Sequence, residues 1–488
     1  MARAYGDCTM DWFSAGDYEF ARQVLQCGVA ACYLIGFVGA INQFPALLGE
    51  HGLLPVPRFV ARIRYRQSPS VFHWRYSDRM LLGIAWSGAA VAASLIAGLP
   101  QLGPPWLPML LFLLLWAGYL SIVNVGQTFY SFGWESLLVE AGFVVAFLGS
   151  NEVAPPVTII FFLRWLVFRL EFGAGLIKIR GGREWRDLTA LFYHHETQPM
   201  PNPVSWFVHH LPKWFHRGEV LGNHVVQLGM PFFLFAPQPV ASVAATIVIL
   251  TQLWLVLTGN FAWLNWITIV LAFAAVDDNA FRFVFSALPA ATETPEAPLW
   301  FMVVVLAATA FLLVLSYQPA RNLVSRRQLM NASFNRYHLV NAYGAFGTVT
   351  KERFEVIVEG SDAAEPGDES AWRAYEFKGK PGDPRRMPRQ FAPYHLRLDW
   401  LMWFLALGSR DTRWFEMLIV RLLEGDRPTL RLLRVNPFPD DPPRFLRARV
   451  FLYRYSTPAE RRATHDWWVR SEVGLLVAPV SLAGRARA

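Results

Sequence analysis

Apolar stretches long enough to cross a lipid bilayer recur through the first two thirds of the chain, and each constrains the backbone severely. Hydrocarbon offers no water to complete the hydrogen bonds of exposed N–H and C=O groups, so a spanning segment must satisfy them internally. A helical span needs about 20 mostly apolar residues. Such runs lie near 23–44, 79–99, 105–124, 134–150, 156–178, 220–236, 238–257, 260–276 and 298–317. Hydropathy therefore predicts about nine spans, of which the runs at 134–150, 220–236 and 260–276 are the shortest. The first run starts near Val24 behind several acidic residues, which reads as a retained span rather than a cleaved leader.

Charge divides the chain at the end of the last run. Residues 318–488 carry 28 Lys and Arg against 19 Asp and Glu, whereas residues 1–317 carry 17 against 18. The expected organisation is a polytopic α-helical membrane domain over 1–317, with an amphipathic loop at 180–219, followed by a soluble C-terminal domain over 318–488. Over all 488 residues, 54% are apolar and 17% charged, where a typical soluble domain has about 25% charged residues. This excludes a disordered chain, a coiled coil and a disulfide scaffold, and argues against an ordinary soluble enzyme. The basic excess belongs to the C-terminal domain, and no nucleic-acid partner is expected. Basic residues cluster between the first two runs (Arg58, Arg62, Arg64, Arg66, Arg75), after the fifth, and after the ninth (Arg321, Arg326, Arg327). With nine spans all three clusters share one side, which the positive-inside rule makes cytoplasmic.

The fifth run is chemically unusual because it holds Arg164, Arg169, Glu171 and Lys178. Arg164, Glu171 and Lys178 are each seven residues apart. They share a helix face that drifts by only about 20° per heptad. A charge in hydrocarbon costs at least about 2.5–3.5 kcal/mol, so this face must look into the bundle, a wet cavity or an acidic partner. Glu135 and Glu140 of the preceding run are candidate partners. The loop 180–219 holds five of the chain's eleven histidines, including the pairs His194–His195 and His209–His210. Neither spacing matches a zinc pattern, and adjacent histidines point apart on a helix, so no metal is assigned. Trp185, Trp206 and Trp214 suggest that this loop lies along the membrane interface. The three cysteines, Cys8, Cys27 and Cys32, have no metal or redox spacing and read as small packing residues.

The C-terminal domain reads as α+β with a β-rich core. Alternation predicts strands in 346–360, 372–380 and 446–457, and helices suit 397–408 and 415–425, the second closed by Gly425. No P-loop, GxGxxG, GxSxG or paired-carboxylate pattern is present.

Several long stretches, ordered along the chain, carry a resemblance. They are GWESLLVEAGF (133–143), FRLEFGAGLIKIRGGREWRDLTALFYHHETQPMPNPVSW (168–206), GNFAWLNWITI (259–269), NRYHLVNAYGAFGTVTKERFEVIVEG (335–360) and YEFKGKPGDPRRMPRQFAPYHLRLDWLMWF (375–404). Together they resemble the lipase maturation factor family. The resemblance implies a multi-pass membrane protein that assists folding and assembly of exported lipases. Its animal members reside in the endoplasmic reticulum, with a C-terminal domain facing the lumen. A bacterial member would lie in the inner membrane. The partners it implies are membrane lipid and an exported client, with no cofactor.

A second, distant resemblance concerns AGLIKIRGGREW (174–185), which is similar to the AGLxK…W element of vitamin K-dependent gamma-carboxylases. It implies an alternative in which Lys178, with Glu171, acts as a base toward a reduced quinone. Two surfaces are therefore candidates. One is the intramembrane polar face of Arg164, Glu171 and Lys178 with Glu140. The other is a client surface on the block holding Asn341, Tyr343, Gly344, Tyr394, Arg397, Asp399 and Trp400. Arg397 and Asp399 are two apart, so on a helix they pair with other residues rather than with each other.

Overall fold

The computed structural model describes residues 12–284 and 295–482; Cys8 lies outside them. Ten principal helices form the first part: α1 (Glu19–Leu48), α2 (Asp78–Ile96), α3 (Trp106–Val125), α4 (Gly133–Val145), α5 (Val157–Arg180), α6 (Leu191–Thr197), α7 (Lys213–Phe233), α8 (Val240–Thr258), α9 (Leu264–Ala272) and α10 (Leu299–Val324). Their starts follow from local chemistry. Ser77 caps α2 by accepting the Met80 N–H at 3.2 Å. Pro105, Pro156 and Pro298 stand immediately before α3, α5 and α10, where a missing N–H removes no helical bond.

Among the described residues, five helices are long and apolar enough to cross a membrane: α1, α2, α3, α8 and α10. The expected count of nine is not reached. The run at 134–150 folds as the 13-residue α4 and a 3-10 turn, Ala146–Leu148. At about 1.5 Å per residue these fall short of the roughly 30 Å hydrocarbon core. The run at 260–276 holds the nine-residue α9. Helix α5 has the length, with 24 residues, but carries the charges noted above. The run at 220–236 is the second half of an amphipathic helix that begins at Lys213. With five crossings the three basic clusters follow the first, third and fifth, so they still share one side. Helices α3, α8 and α10 leave large apolar side chains exposed, among them Leu114, Leu250, Leu313 and Val314, as a lipid-facing surface requires.

The C-terminal part contains a four-stranded antiparallel sheet built from β1 (Arg353–Ser361), β2 (Arg373–Ala374), β3 (Phe445–Tyr455) and β4 (Trp468–Val480), in the order β2-β1-β3-β4. Phe354 pairs with Leu452 and Val358 with Ala448. Helices α11 (Arg397–Ala406) and α12 (Arg413–Glu424) fall where the apolar periodicity placed them. Gly425 closes α12 at φ 70°, a left-handed turn that a β-carbon disfavours. One expectation needs correction: the stretch 372–380 contributes only two residues of strand. Strand β4 has no counterpart among the elements expected from the sequence, and its pairing with β3 contains register shifts that break a regular alternation.

One apolar core runs without a break from Phe37 and Tyr119 in the helical part to Trp400 and Leu418 in the C-terminal part. The two parts are therefore packed as one body. The loop 180–219 also differs from its expected interfacial placement. Trp185 and Trp206 are buried, and of the three tryptophans only Trp214 is exposed.

Candidate functional site

Helix α5 distributes its charges to separate environments. The Arg164 Nε–H donates to the Ala274 carbonyl at 2.9 Å, and its guanidinium lies 5.0 Å from the Tyr18 ring centre. Arg169 turns to the other side and pairs directly with Glu140. Glu171 and Lys178 enter a cavity of about 390 Å³ lined by α5, α6, α7, α8 and α9. The seven-residue face thus splits: Glu171 and Lys178 stay together, and Arg164 does not reach them. Glu140 serves Arg169 rather than this face.

Inside the cavity the ammonium and the carboxylate are connected by amides. Lys178 Nζ donates to Gln227 Oε1 at 2.8 Å and to Asn223 Oδ1 at 3.2 Å. Gln227 Nε2 donates to Glu171 Oε2 at 3.1 Å. Gln252 Nε2 donates to Glu171 Oε1 at 2.5 Å, and Asn265 Nδ2 donates to Gln252 Oε1 at 2.6 Å. Lys178 Nζ also sits 4.7 Å from the Trp185 ring centre, where a ring face attracts a cation. A direct ion pair would neutralise both charges in place. Here Gln227 holds them apart, so both remain available to a molecule in the cavity. Apolar walls from Leu170, Val226, Leu250 and Phe346 complete the lining.

The histidine loop forms one end of this cavity. His194 and His195, adjacent on α6, do not point apart as expected: their ring centres are 5.9 Å apart, edge to face, and both line the cavity. His194 stacks on Phe261 with ring centres 6.0 Å apart, and His195 faces His216 of α7 at 5.6 Å. Burial pushes His194 down to about 4, assisted by the Lys178 charge, and pushes His195 well below the ordinary histidine range. The Trp254 Nε1–H donates to Glu219 Oε1 at 2.7 Å. His195, His216 and Glu219 bring one ligand atom each within 4.8 Å of one another.

A second polar region joins the C-terminal part to the helices. Glu140 of α4 accepts from both Arg169 terminal nitrogens, from the Asn341 N–H at 2.9 Å and side chain at 3.0 Å, and from the Tyr343 hydroxyl at 2.7 Å. Glu135 pairs with Arg397 and accepts from Tyr119 at 2.6 Å. The His395 ring nitrogen lies 3.3 Å from the same carboxylate. Gly173 permits the approach, since a β-carbon there would stand 2.5 Å from the Tyr343 carbonyl oxygen.

The expected client surface is therefore corrected. Tyr343, Arg397, Asp399 and Trp400 are all buried, and Arg397 has no exposed surface. Tyr394 is half-buried and accepts from Gln43 at 3.1 Å. Asp399 accepts the Gly379 N–H at 2.6 Å, and burial raises it to about 6. Trp400 meets Trp134 edge to face, with ring centres 4.8 Å apart. Arg397 and Asp399 do pair elsewhere, as their spacing requires. The buried members of the block fix one part of the molecule to the other, and Tyr394 alone among Tyr343, Tyr394, Arg397, Asp399 and Trp400 keeps part of its surface exposed.

Gln227, Gln252, Asn223, Asn265 and Glu219 escaped the sequence reading. Their signal was present: each is a polar side chain within or beside an apolar helix, where an unpaired amide costs free energy.

Comparison with known proteins gives a consistent result. A family model described as the lipase maturation factor transmembrane domain matches residues 20–283, and one described as the lipase maturation factor C-terminal domain matches residues 339–478. The chain is 41% identical to Lipase maturation factor 1 of Homo sapiens, over 96% of this chain and 89% of that protein. It is 39% identical to Lipase maturation factor 1 of Mus musculus, over 96% and 88%. It is 29% identical to Lipase maturation factor 2 of Homo sapiens, over 94% and 82%. No solved structure matches.

Proposed function

The chain belongs to the lipase maturation factor family, and from that premise we propose that it is an integral membrane protein that assists folding and assembly of an exported lipase. The observation that carries this reading is similarity to Lipase maturation factor 1 along 96% of the chain, helices and sheet together. The exposed apolar faces of α3, α8 and α10 contact membrane lipid in this reading. The membrane is the endoplasmic reticulum for an animal member and the inner membrane for a bacterial one. The test is the specific activity of a lipase exported by the same host, counted per lipase molecule, with and without this chain. Loss of the chain lowers activity per molecule. Unchanged activity per molecule contradicts the role in that host.

A second reading is favoured by the cavity. Glu171 and Lys178 are held apart there by Gln227 beside about 390 Å³ of space. In this reading the cavity is the working site, and it takes a membrane-soluble molecule bearing a hydroxyl group. Lys178, when unprotonated, accepts that proton, and Glu171 offsets the resulting charge. A Lys178→Ala chain then accumulates but fails to support the lipase.

A further inference from the structure

We propose that His195, His216 and Glu219 form a zinc site at the histidine end of the cavity. His216 and Glu219 lie three residues apart on the first turns of α7, so they share a helix face, and His195 meets them from α6. Glu219 Oε2 stands 2.8 Å from His216 Nδ1 and 4.0 Å from His195 Nε2. Ligands held about 2.0–2.1 Å from a tetrahedral zinc stand about 3.3 Å apart, so the observed separations bracket that spacing. All three ligand atoms lie within 4.8 Å of one another, and the side chains would close inward onto a shared ion.

Hydrogen-bond accounting points the same way. Both ring nitrogens of His195 are buried without a hydrogen-bond partner, and an orphaned buried polar group needs a reason. His216 Nδ1 faces a carboxylate oxygen, and its Nε2 faces the His209 carbonyl at 3.4 Å. A neutral ring has one N–H, so one of these two contacts lacks a proton. A cation between Nδ1 and Glu219 removes that conflict, because Nε2–H then donates to the His209 carbonyl. Trp254 meanwhile holds the other oxygen of Glu219 in place, the kind of outer support that metal ligands commonly have. Three protein ligands leave a fourth position open. His195 and Glu219 both line the cavity, so that position is available to water or to an oxygen of the molecule bound there. The sequence spacing hid this set because it takes one histidine from one pair and none from the other.

The test is metal analysis of the full chain, purified in detergent through a tag without histidine and without chelator. The expected result is about one zinc per chain, falling at least about five-fold in His195→Ala and in His216→Ala. His51→Ala, at an exposed position, retains the metal. Less than about 0.2 zinc per chain with no uptake from added zinc overturns the proposal. Full zinc content in the His195→Ala/His216→Ala double variant overturns it equally. Should these variants fail to accumulate, X-ray absorption at the zinc edge of the unaltered protein decides. Imidazole and oxygen scattering is expected, and sulfur ligation or absence of imidazole contradicts the site.

Discussion

The two buried polar regions of this molecule use the same residue types to opposite ends. At the joint between the helices and the C-terminal part, each carboxylate touches its cation directly: Glu135 with Arg397, and Glu140 with Arg169. In the cavity, Lys178 and Glu171 reach each other only through Gln227, and His195 has no hydrogen-bond partner on either nitrogen. Direct neutralisation leaves nothing for a ligand to do and fixes geometry. Charges held apart beside open volume keep their capacity to bind. The difference separates buried charge that is paired directly from buried charge held apart beside open volume.

The sharpest way to break the comparison is to cut the joint. Arg397→Leu strands Glu135 at a fully buried position, and removing one partner of a buried pair costs about 3–5 kcal/mol. The chain is expected to lose most of its accumulated level and its cooperative melting in detergent. Glu135→Leu/Arg397→Leu is expected to recover part of both, since the pair leaves together. Failure of the double variant to recover anything would mean that the pair's other contacts dominate.

Acid probes the joint together with the histidine end of the cavity, where His194 is lowered in the same way. Burial lowers His338 and His395 from 6.5 to about 4, with the Arg397 charge adding to the effect on His395. The unfolded chain therefore binds protons more readily than the folded one between those values. The stabilising contribution is complete above about pH 6.5 and is lost as pH falls toward about 4. Each histidine contributes on the order of 3 kcal/mol at the limit. A melting series in detergent from pH 7.5 to 4 should show stability falling across that window, and a flat profile would contradict the burial of these rings.

The cavity should respond less in stability. Gln252→Leu removes one hydrogen bond to Glu171 and leaves the one from Gln227. A bond to a charged group contributes about 1.5–3 kcal/mol, so the chain is expected to melt earlier but still to accumulate. A loss as large as that of Arg397→Leu would erase the distinction between the two regions.

Much of the fold was legible because helices declare themselves by length and apolar run. The five long spans, α11, α12 and the left-handed Gly425 all lie where the sequence placed them. The excess of predicted spans has a physical cause: hydropathy does not distinguish a crossing helix from a short one buried by its neighbours, as with α4 and α9. The shared placement of Glu171 and Lys178 was visible as a seven-residue spacing. Arg164 shared that spacing but finds the Ala274 carbonyl, because rotation along the helix and the position of neighbouring helices decide where each side chain ends. The supposed client surface failed for a related reason. Arg397, Asp399 and Trp400 look like surface chemistry in a linear string, and their burial depends on Glu135, Gly379 and Trp134, which are distant or unremarkable in sequence. The cavity amides were overlooked singly and acquire meaning only when four helices bring them together.

The most direct measurement is lipase activity per lipase molecule in a host carrying Lys178→Ala, with the amount of this chain determined in the same cells. The reading that makes the cavity the working site predicts a chain that accumulates and a lipase that loses most of its activity per molecule. A chain that accumulates and supports the lipase fully would contradict the claim that the cavity is the working site.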